Sequence, residues 1–404
     1  MRISTTQYFG MNVQTMDDQQ SQLTQLYQQL SSGVSLATPS DNPVGAAQAV
    51  QLSMQAATLS QFSSNQNAAL SSLQSEDSTL GTVNTILTNI NTLLVRAGDG
   101  SLNDGDRSAL ATQLQGLRGQ LLSQANATDG SGNFLFAGYQ TTSQPFGTNA
   151  AGGVQYNGDS GVQYVQVTGT RQIAAGDNGA TVFLGVSPTG TNSVPTGAAT
   201  NTGSGTIGGV STTNAADPTN ADKYTINFTS PTTYTVTNVT AGTTTAAQTF
   251  TAGAAITLGG QNVAISGAPA TGDSFSVTPA TQAGTDVFAN IDAAVAALQT
   301  PVTPGAGTAN LTNALSTAMG KLANTLNNVI TVQASVGGRE NEVTALQTVT
   351  QSNNLQTQSN LADLTQTNLT QVISKYTMTQ FSLQAAQQGF SMIQKMSLFN
   401  YIGN

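Results

Sequence analysis

The sequence contains no cysteine, no histidine and no tryptophan, and only 7% of its 404 residues are charged. Each shortage excludes something. Without Cys there is no disulfide framework, no thiolate nucleophile and no Cys-ligated zinc. Without His the usual general base and the commonest nitrogen ligand are missing too, so no catalytic, cofactor-binding or metal-binding residue is assigned and no enzyme is expected. Ten Lys and Arg against nineteen Asp and Glu leave a net charge of −9, the wrong sign for a phosphate backbone, and no nucleic-acid partner is expected. No apolar run approaches the roughly 18 residues of a membrane span, and the first residues lack the apolar stretch of a secretory signal. Neither membrane insertion nor a cleaved leader is expected.

What the chain has instead is glycine, small residues and uncharged polar side chains, arranged in two textures. At the start, Phe9, Val13, Met16, Gln20, Leu23, Tyr27 and Leu30 recur at alternating intervals of four and three, the seam of a helix that packs on another helix. At the far end Leu369, Val372, Tyr376, Thr379, Leu383, Ala386, Phe390 and Ile393 repeat in the same way, with Met378, Ala385, Met392 and Phe399 on a flanking row. The remaining faces are Gln, Asn, Ser and Thr; residues 1–40 carry only Arg2, Asp17 and Asp18, and residues 355–404 only Asp363, Lys375 and Lys395. A solvated helix normally shows Lys and Glu on its outer face. Their scarcity points to an outer face that also meets protein, against the plainer alternative of two helices in contact inside one domain.

Between the ends, helix and strand signals alternate in blocks. Gly33 is placed to stop the first helix near Leu30, and Asn42-Pro43 supplies an N-cap and a first-turn proline for the next. Leu59, Phe62, Gln66, Ala69, Leu73, Glu76, Leu80, Val83, Leu87, Ile90 and Leu94 hold a helical spacing to about Arg96, and Leu110, Leu114, Leu117 and Leu121 predict a third helix returning antiparallel. From about 141 to 284 the texture becomes Gly, Thr, Asn and Ser with short alternating runs at 162–167, 224–228, 234–236 and 275–277, and Ile256–Ile265 reads as a hairpin about Gly259-Gly260. This span is expected to form one all-β domain, with Thr189–Asp217 as a mobile loop. Helix returns at Asp286–Leu298 and again through Leu311, Leu315, Leu322, Leu326, Val329 and Val336, with a possible bend at Gly337-Gly338.

The expected architecture is therefore α+β and multidomain: terminal coiled-coil helices (1–42 plus 350–404), a long-helix bundle (43–140 plus 285–349) and an inserted β-rich outer domain (141–284). Several apparent motifs carry nothing. Gly203–Gly208 fits GxGxxG but does not join a strand to a helix, Glu76 and Asp77 are read as solvated helix surface, and the Asn-X-Thr matches at Asn227 and Asn238 are common by chance in such a composition. Each end offers about eight seam side chains against an ordering cost spread over a whole helix, so the ends are expected to fray in the free monomer and fold when neighbouring copies cover them. The assembly interface is expected at Phe9, Val13, Met16, Leu23, Tyr27, Leu30, Leu369, Val372, Tyr376, Leu383, Phe390 and Ile393.

Four runs resemble the bacterial flagellins and their junction relatives: Leu30-Ser31-Ser32-Gly33 followed by Pro39–Ala47, then Gly132–Gly138, then Ala334–Asn341, and the ending Ser397–Ile402. Met1–Thr5, that ending and Gly267–Val277 are more similar to the junction members than to filament flagellin. Residues Leu361-Ala362-Asp363-Leu364 depart from the more acidic run of relatives, which puts a charge contact there in doubt. The resemblance implies a structural subunit at the hook–filament junction of an extracellular flagellum, exported without a cleaved signal through the flagellar type III conduit. It also implies as partners a proximal hook-associated junction protein, flagellin, copies of itself in a ring and a cytoplasmic export chaperone. Filament flagellin is one alternative, and a secreted β-rich adhesin another.

Overall fold

The structure, a computed structural model, describes residues 5–36, 42–150 and 152–402, with residues 5, 6, 8 and 393–402 described by their helical backbone alone. Three long helices begin the chain: α1 (Thr5–Ser32), α2 (Pro43–Ala97) and α3 (Asp104–Ala125). Their ends follow from local chemistry. The Gly33 N–H donates to the Gln29 carbonyl at 2.9 Å, and its φ of +71° is the left-handed turn that a glycine adopts without a Cβ clash. Pro43 opens α2 where a missing N–H costs nothing, and the Asn42 side chain accepts from the Gly45 N–H at 2.9 Å. Asn103 and Asp106 form a reciprocal capping box that starts α3.

The rest of the chain interleaves short strands with helices. Two small hairpins, β1 (Phe146–Thr148) with β2 (Val154–Tyr156) and β3 (Tyr164–Gln166) with β4 (Gln172–Ala174), precede the single turn α4 (Gly179–Phe183). Ten strands follow: β5 (Val194–Gly197), β6 (Thr206–Ile207), β7 (Ser211–Thr212), β8 (Tyr224–Ser230), β9 (Thr233–Asn238), β10 (Thr243–Thr244), β11 (Gln248–Thr249), β12 (Ala255–Leu258), β13 (Gln261–Ser266) and β14 (Ser274–Thr278). They make two antiparallel sheets, ordered β10-β9-β8-β14-β5 with β11 also on β9, and β12-β13-β6 with β7 also on β13. The chain closes with α5 (Val287–Gln299), the 60-residue α6 (Ala306–Thr365) and α7 (Leu369–Ile402).

Two compact units divide the chain: residues 65–346, and the two ends, 1–64 with 347–404, the divisions falling inside α2 and α6. Within 65–346 the helical spacing read from sequence lies on the core, since Gln66, Ala69, Leu73, Glu76, Leu80, Val83, Leu87, Ile90 and Leu94 are all buried. The apolar ones pack with Leu110, Leu114 and Leu121 of α3 and with Phe288, Leu315, Leu322, Val329 and Val336 of α5 and α6.

The span expected to be one β domain divides between two cores. Phe136, Phe146, Val167, Ile173, Val182 and Phe183 belong to the helical core, whereas Tyr224, Ile226, Phe228, Val236, Leu258, Ile265, Phe275 and Val277 form a separate one between the two larger sheets. Only the second has enough paired strands to hold a core of its own; isolated hairpins such as β1–β2 are marginal and need a helix surface to bury against.

Residues 189–217 are not a loose loop. They include β5, β6 and β7, and α6 clasps this backbone with side-chain amides, which a composition-based reading does not see. Asn313 donates to the Gly205 carbonyl at 3.1 Å and accepts from the Ile207 N–H at 2.9 Å. Asn324 does the same to the Asn192 backbone at 2.8 and 3.0 Å, and the Thr317 hydroxyl reaches the Pro195 carbonyl at 2.8 Å. In the GxGxxG-like tract the Gly203 N–H points to the buried Asp273 carboxylate, a turn clamp in place of a phosphate cradle.

The possible bend at Gly337-Gly338 does not occur as a break: α6 runs through it and stops at Thr365. Each glycine costs a helix about 1 kcal/mol. Fully buried Val336 and Val343 on either side, and Arg339 donating to the Ala174 carbonyl at 3.0 Å, hold the helix in place.

Candidate functional site

The two ends of the chain meet. Beyond α1, Ser35 donates its N–H to the Thr365 carbonyl at 2.7 Å, and Thr367 returns one to the Gly33 carbonyl at 3.0 Å, an antiparallel bridge at Val34 and Gln366. The Asn368 carbonyl and side chain accept from the Val372 and Gln371 N–H groups at 2.9 and 3.2 Å, so α7 starts immediately after that bridge. The stitch fixes the register of α1 on α7. At the other end of the pair Phe9 and Phe390 stack edge to face with ring centroids 4.7 Å apart.

Along α7 the inward row is the one read from sequence: Val372 is buried, and Tyr376, Thr379, Leu383, Ala386 and Phe390 are half-buried. Leu369, at the first turn, is 51% exposed. Ile393 and Phe399 lie outside the described side chains. In α1 the phase differs by one residue. Phe9, Met16, Leu23 and Leu30 face inward as expected, but Asn12, Gln19 and Leu26 complete the row, while Val13 and Tyr27 are 42% and 60% exposed and Gln20 is exposed with them. A 4-3 spacing read from Phe9 admits either set, and the aromatic Tyr27 made the wrong one more apolar. The signal for the other was Leu26, seven residues beyond Gln19 and fourteen beyond Asn12.

This pairing covers one stripe of each helix and leaves others open. Met378, Ala385 and Met392, expected to widen the seam, point outward, as do Met11, Ile373 and Phe381; Phe381 is 74% exposed. Among the described residues of the end unit, Leu26 and Val372 are the only large hydrophobics that are buried. Conversely, all the large hydrophobics exposed in the described chain belong to the end unit, apart from Val95, Tyr139, Tyr164, Val239 and Ile330. The end unit also holds none of the four ion pairs found among the described residues. An apolar surface of this extent with so little charge is the mark of a surface that binds protein.

The other notable electrostatic feature lies in residues 65–346 and corrects the reading of Glu76 and Asp77 as solvated. Glu76 is 1% exposed. Its Oε1 accepts from the Asp177 N–H at 3.1 Å, its Oε2 has no partner, and Asp177 is ion-paired to Arg339. Burial, and then the Asp177 charge, push the Glu76 carboxyl up to about 8, with Arg339 opposing. Asp77, half-buried, accepts from Gln333 at 3.1 Å, and burial with the Asp77 charge raises Glu340. The cluster ties α2, α6 and residues 174–177 together. Among the described residues no group of three or more acids is placed to hold a metal ion, and no helix is long and apolar enough to cross a membrane.

Residues 3–141 match the family described as the bacterial flagellin N-terminal helical region. Over its whole length the chain is 29% identical to flagellar hook-associated protein 3 of Salmonella typhimurium, the alignment covering 99% of both. It is 30% identical to the crystal structure of FlgL from Xanthomonas campestris, with a TM-score of 0.68 over 76% of this chain and 98% of that one. This chain belongs to the flagellar hook-associated protein 3 (FlgL) family. A second member of the family, described as the flagellar junction protein FlgL from Legionella pneumophila, is 27% identical with a TM-score of 0.67, over 80% of this chain and all of the other. The likeness to FlgL thus takes in both the helices and the β-rich insertion, and the flagellin-like helical start is its most general part.

Proposed function

We propose that this chain is a structural subunit of the bacterial flagellum, an adaptor at the hook–filament junction that assembles through its end helices and seats flagellin. The observation that carries the reading is the end unit: an antiparallel pair of helices with a nearly uncharged surface, two buried large hydrophobics among its described residues, and outward rows of Met, Phe, Ile and Tyr. A domain of this size needs more cover than one helix gives another. Neighbouring subunits supply it, their side chains meeting Met11, Val13, Tyr27, Leu369, Ile373, Met378 and Phe381, while Phe9, Leu23, Leu26, Val372, Leu383 and Phe390 hold the pair together. Copies of the chain form a ring, a proximal hook-associated junction protein lies on one side and flagellin on the other, and a cytoplasmic chaperone covers the same rows before export without a cleaved signal. The role is structural and needs no chemistry.

The reading stands or falls with the end helices. Removing residues 370–404 tests it. The truncated chain should remain soluble with residues 65–346 folded, yet fail to restore motility to a strain lacking the full-length protein. Normal motility with the truncation would refute assembly through the ends.

A further inference from the structure

Sulfur occurs in this chain only in methionine, since there is no cysteine. Most of the methionine side chains that the structure describes stand in the open. Met11, Met54, Met378 and Met392 are each at least 60% exposed, and all four belong to the end unit. The other two, Met16 in α1 and Met319 in α6, are half-buried. Methionine is ordinarily a buried residue, so its concentration on this surface calls for a reason. On α7, Met378 and Met392 lie fourteen residues apart, about 21 Å along one face of the helix, with exposed Phe381 and Ala385 between them on the same row.

A thioether differs from the Val, Ile, Leu and Phe side chains on the same surface in one chemical respect: it can be oxidised under mild conditions. Hydrogen peroxide delivers one oxygen atom to the sulfur. The O–O bond breaks, an S–O bond forms, the sulfur gives up two electrons and water leaves. The sulfoxide so formed is polar where the thioether was apolar, and it disrupts surfaces built on methionine. Cysteine and tryptophan, which would compete for the oxidant, are absent, so the exposed thioethers are its readiest targets.

We propose that Met378 and Met392 form a modification site for peroxide-class oxidants, and that sulfoxide on this row of α7 keeps the free subunit from assembling, a role that rests on the end helices assembling with neighbouring copies. A sulfoxide oxygen buried in the contact without a donor weakens it about tenfold or more. Once neighbours cover the row, the same sulfurs are shielded. The site therefore responds to oxidant before assembly and not after it.

The test treats the purified full chain with hydrogen peroxide and follows each methionine by peptide mass. Met378 and Met392 should gain one oxygen at least about fivefold faster than half-buried Met319, and the urea midpoint of residues 65–346 should not move. With the reaction stopped before Met319 is touched, the oxidised chain is added with untreated flagellin to cells that bear hooks but lack this protein, and filaments are counted. Their number should fall at least about tenfold against the untreated chain. Methionine sulfoxide reductases A and B should restore it, and they act on no other product of the oxidation. The double variant Met378→Leu with Met392→Leu, oxidised in the same way, should keep most of its own starting level, whatever that level is. Equal rates at Met378, Met392 and Met319, full assembly of the oxidised chain, no rescue by the reductases, or a Leu variant as sensitive as the parent would each overturn the proposal while leaving assembly through the ends intact. An untreated chain that supports no filaments would overturn that reading and the proposal with it.

Discussion

Raising the pH from about 5 to about 8 should cost residues 65–346 stability, and Glu76 should account for most of the loss. In the unfolded chain its carboxyl titrates at the ordinary value of 4.5, whereas burial and Asp177 lift it to about 8 in the fold. A raised carboxyl binds its proton more tightly when folded, so its contribution is fully present below pH 4.5 and is lost as the pH rises through 8. The slope in that window is about 1.4 kcal/mol per pH unit for one proton, which sums to several kcal/mol, a large share of the stability of any domain. Glu340, also raised, adds a loss of the same sign. Asp99, Asp104, Asp129, Asp217 and Glu342 are shifted downward, so their contribution is lost at lower pH, outside this window. The measurement is the urea midpoint read from the methyl resonances of Leu80, Val83 and Val329, at pH 5, 6.5 and 8. Glu76→Gln keeps the acceptor for the Asp177 N–H and removes the titration; it should be close to neutral at pH 5 and stabilising at pH 8. A native protein whose midpoint is level or rises over this range, or a variant with an unchanged slope, would refute the account of the buried cluster.

Amide exchange in the dilute monomer should separate the two units, with α1 and α7 exchanging orders of magnitude faster than Leu73–Leu94, because two buried large hydrophobics cannot protect two helices. Slow exchange along α7 would contradict it. Tyr27→Ser and Phe381→Ser should change the monomer's stability by no more than about 0.5 kcal/mol, since both side chains are exposed, and should impair motility in complementation. Equal motility would remove these rows from the interface. Asn313→Ala should cost about 1–3 kcal/mol by leaving the Gly205 carbonyl and the Ile207 N–H unpaired, measured by urea unfolding, with the damage centred on β5 and β6.

The helices of residues 65–346 and the helix ends were legible because their signals are local. Pro43, Asn42 and Gly33 act on their own turns, and the run from Gln66 to Leu94 repeats at a spacing that only a helix with one buried face explains. The family resemblance was legible for a different reason: its motifs cluster at helix ends and turns, where few residue types satisfy the backbone. The β-rich span was less so. Its strands at 224–228, 234–236 and 275–277 follow from alternation, but whether residues 146–183 join them or join the helices depends on which surface lies nearest, and nothing in those residues encodes that. The amide clasp was hidden as well, since Asn310, Asn313 and Asn324 look like ordinary polar positions until the backbone of 192–207 is laid against them.

Sequence alone determined that both ends are helices, that each has an apolar stripe, and that too little charge surrounds them for solvent to be their only neighbour. Tertiary structure decided the phase: the stitch at Ser35 and Thr365 sets how α1 lies on α7, turning Leu26 inward and Tyr27 out. It likewise decided that Glu76 is sealed beneath Asp177 and Arg339 and that α6 passes through two glycines without stopping. The physical reason is common to all three. Periodicity is a property of one chain segment, whereas which face of that segment is covered, and at what electrostatic cost, belongs to the pair of surfaces that meet.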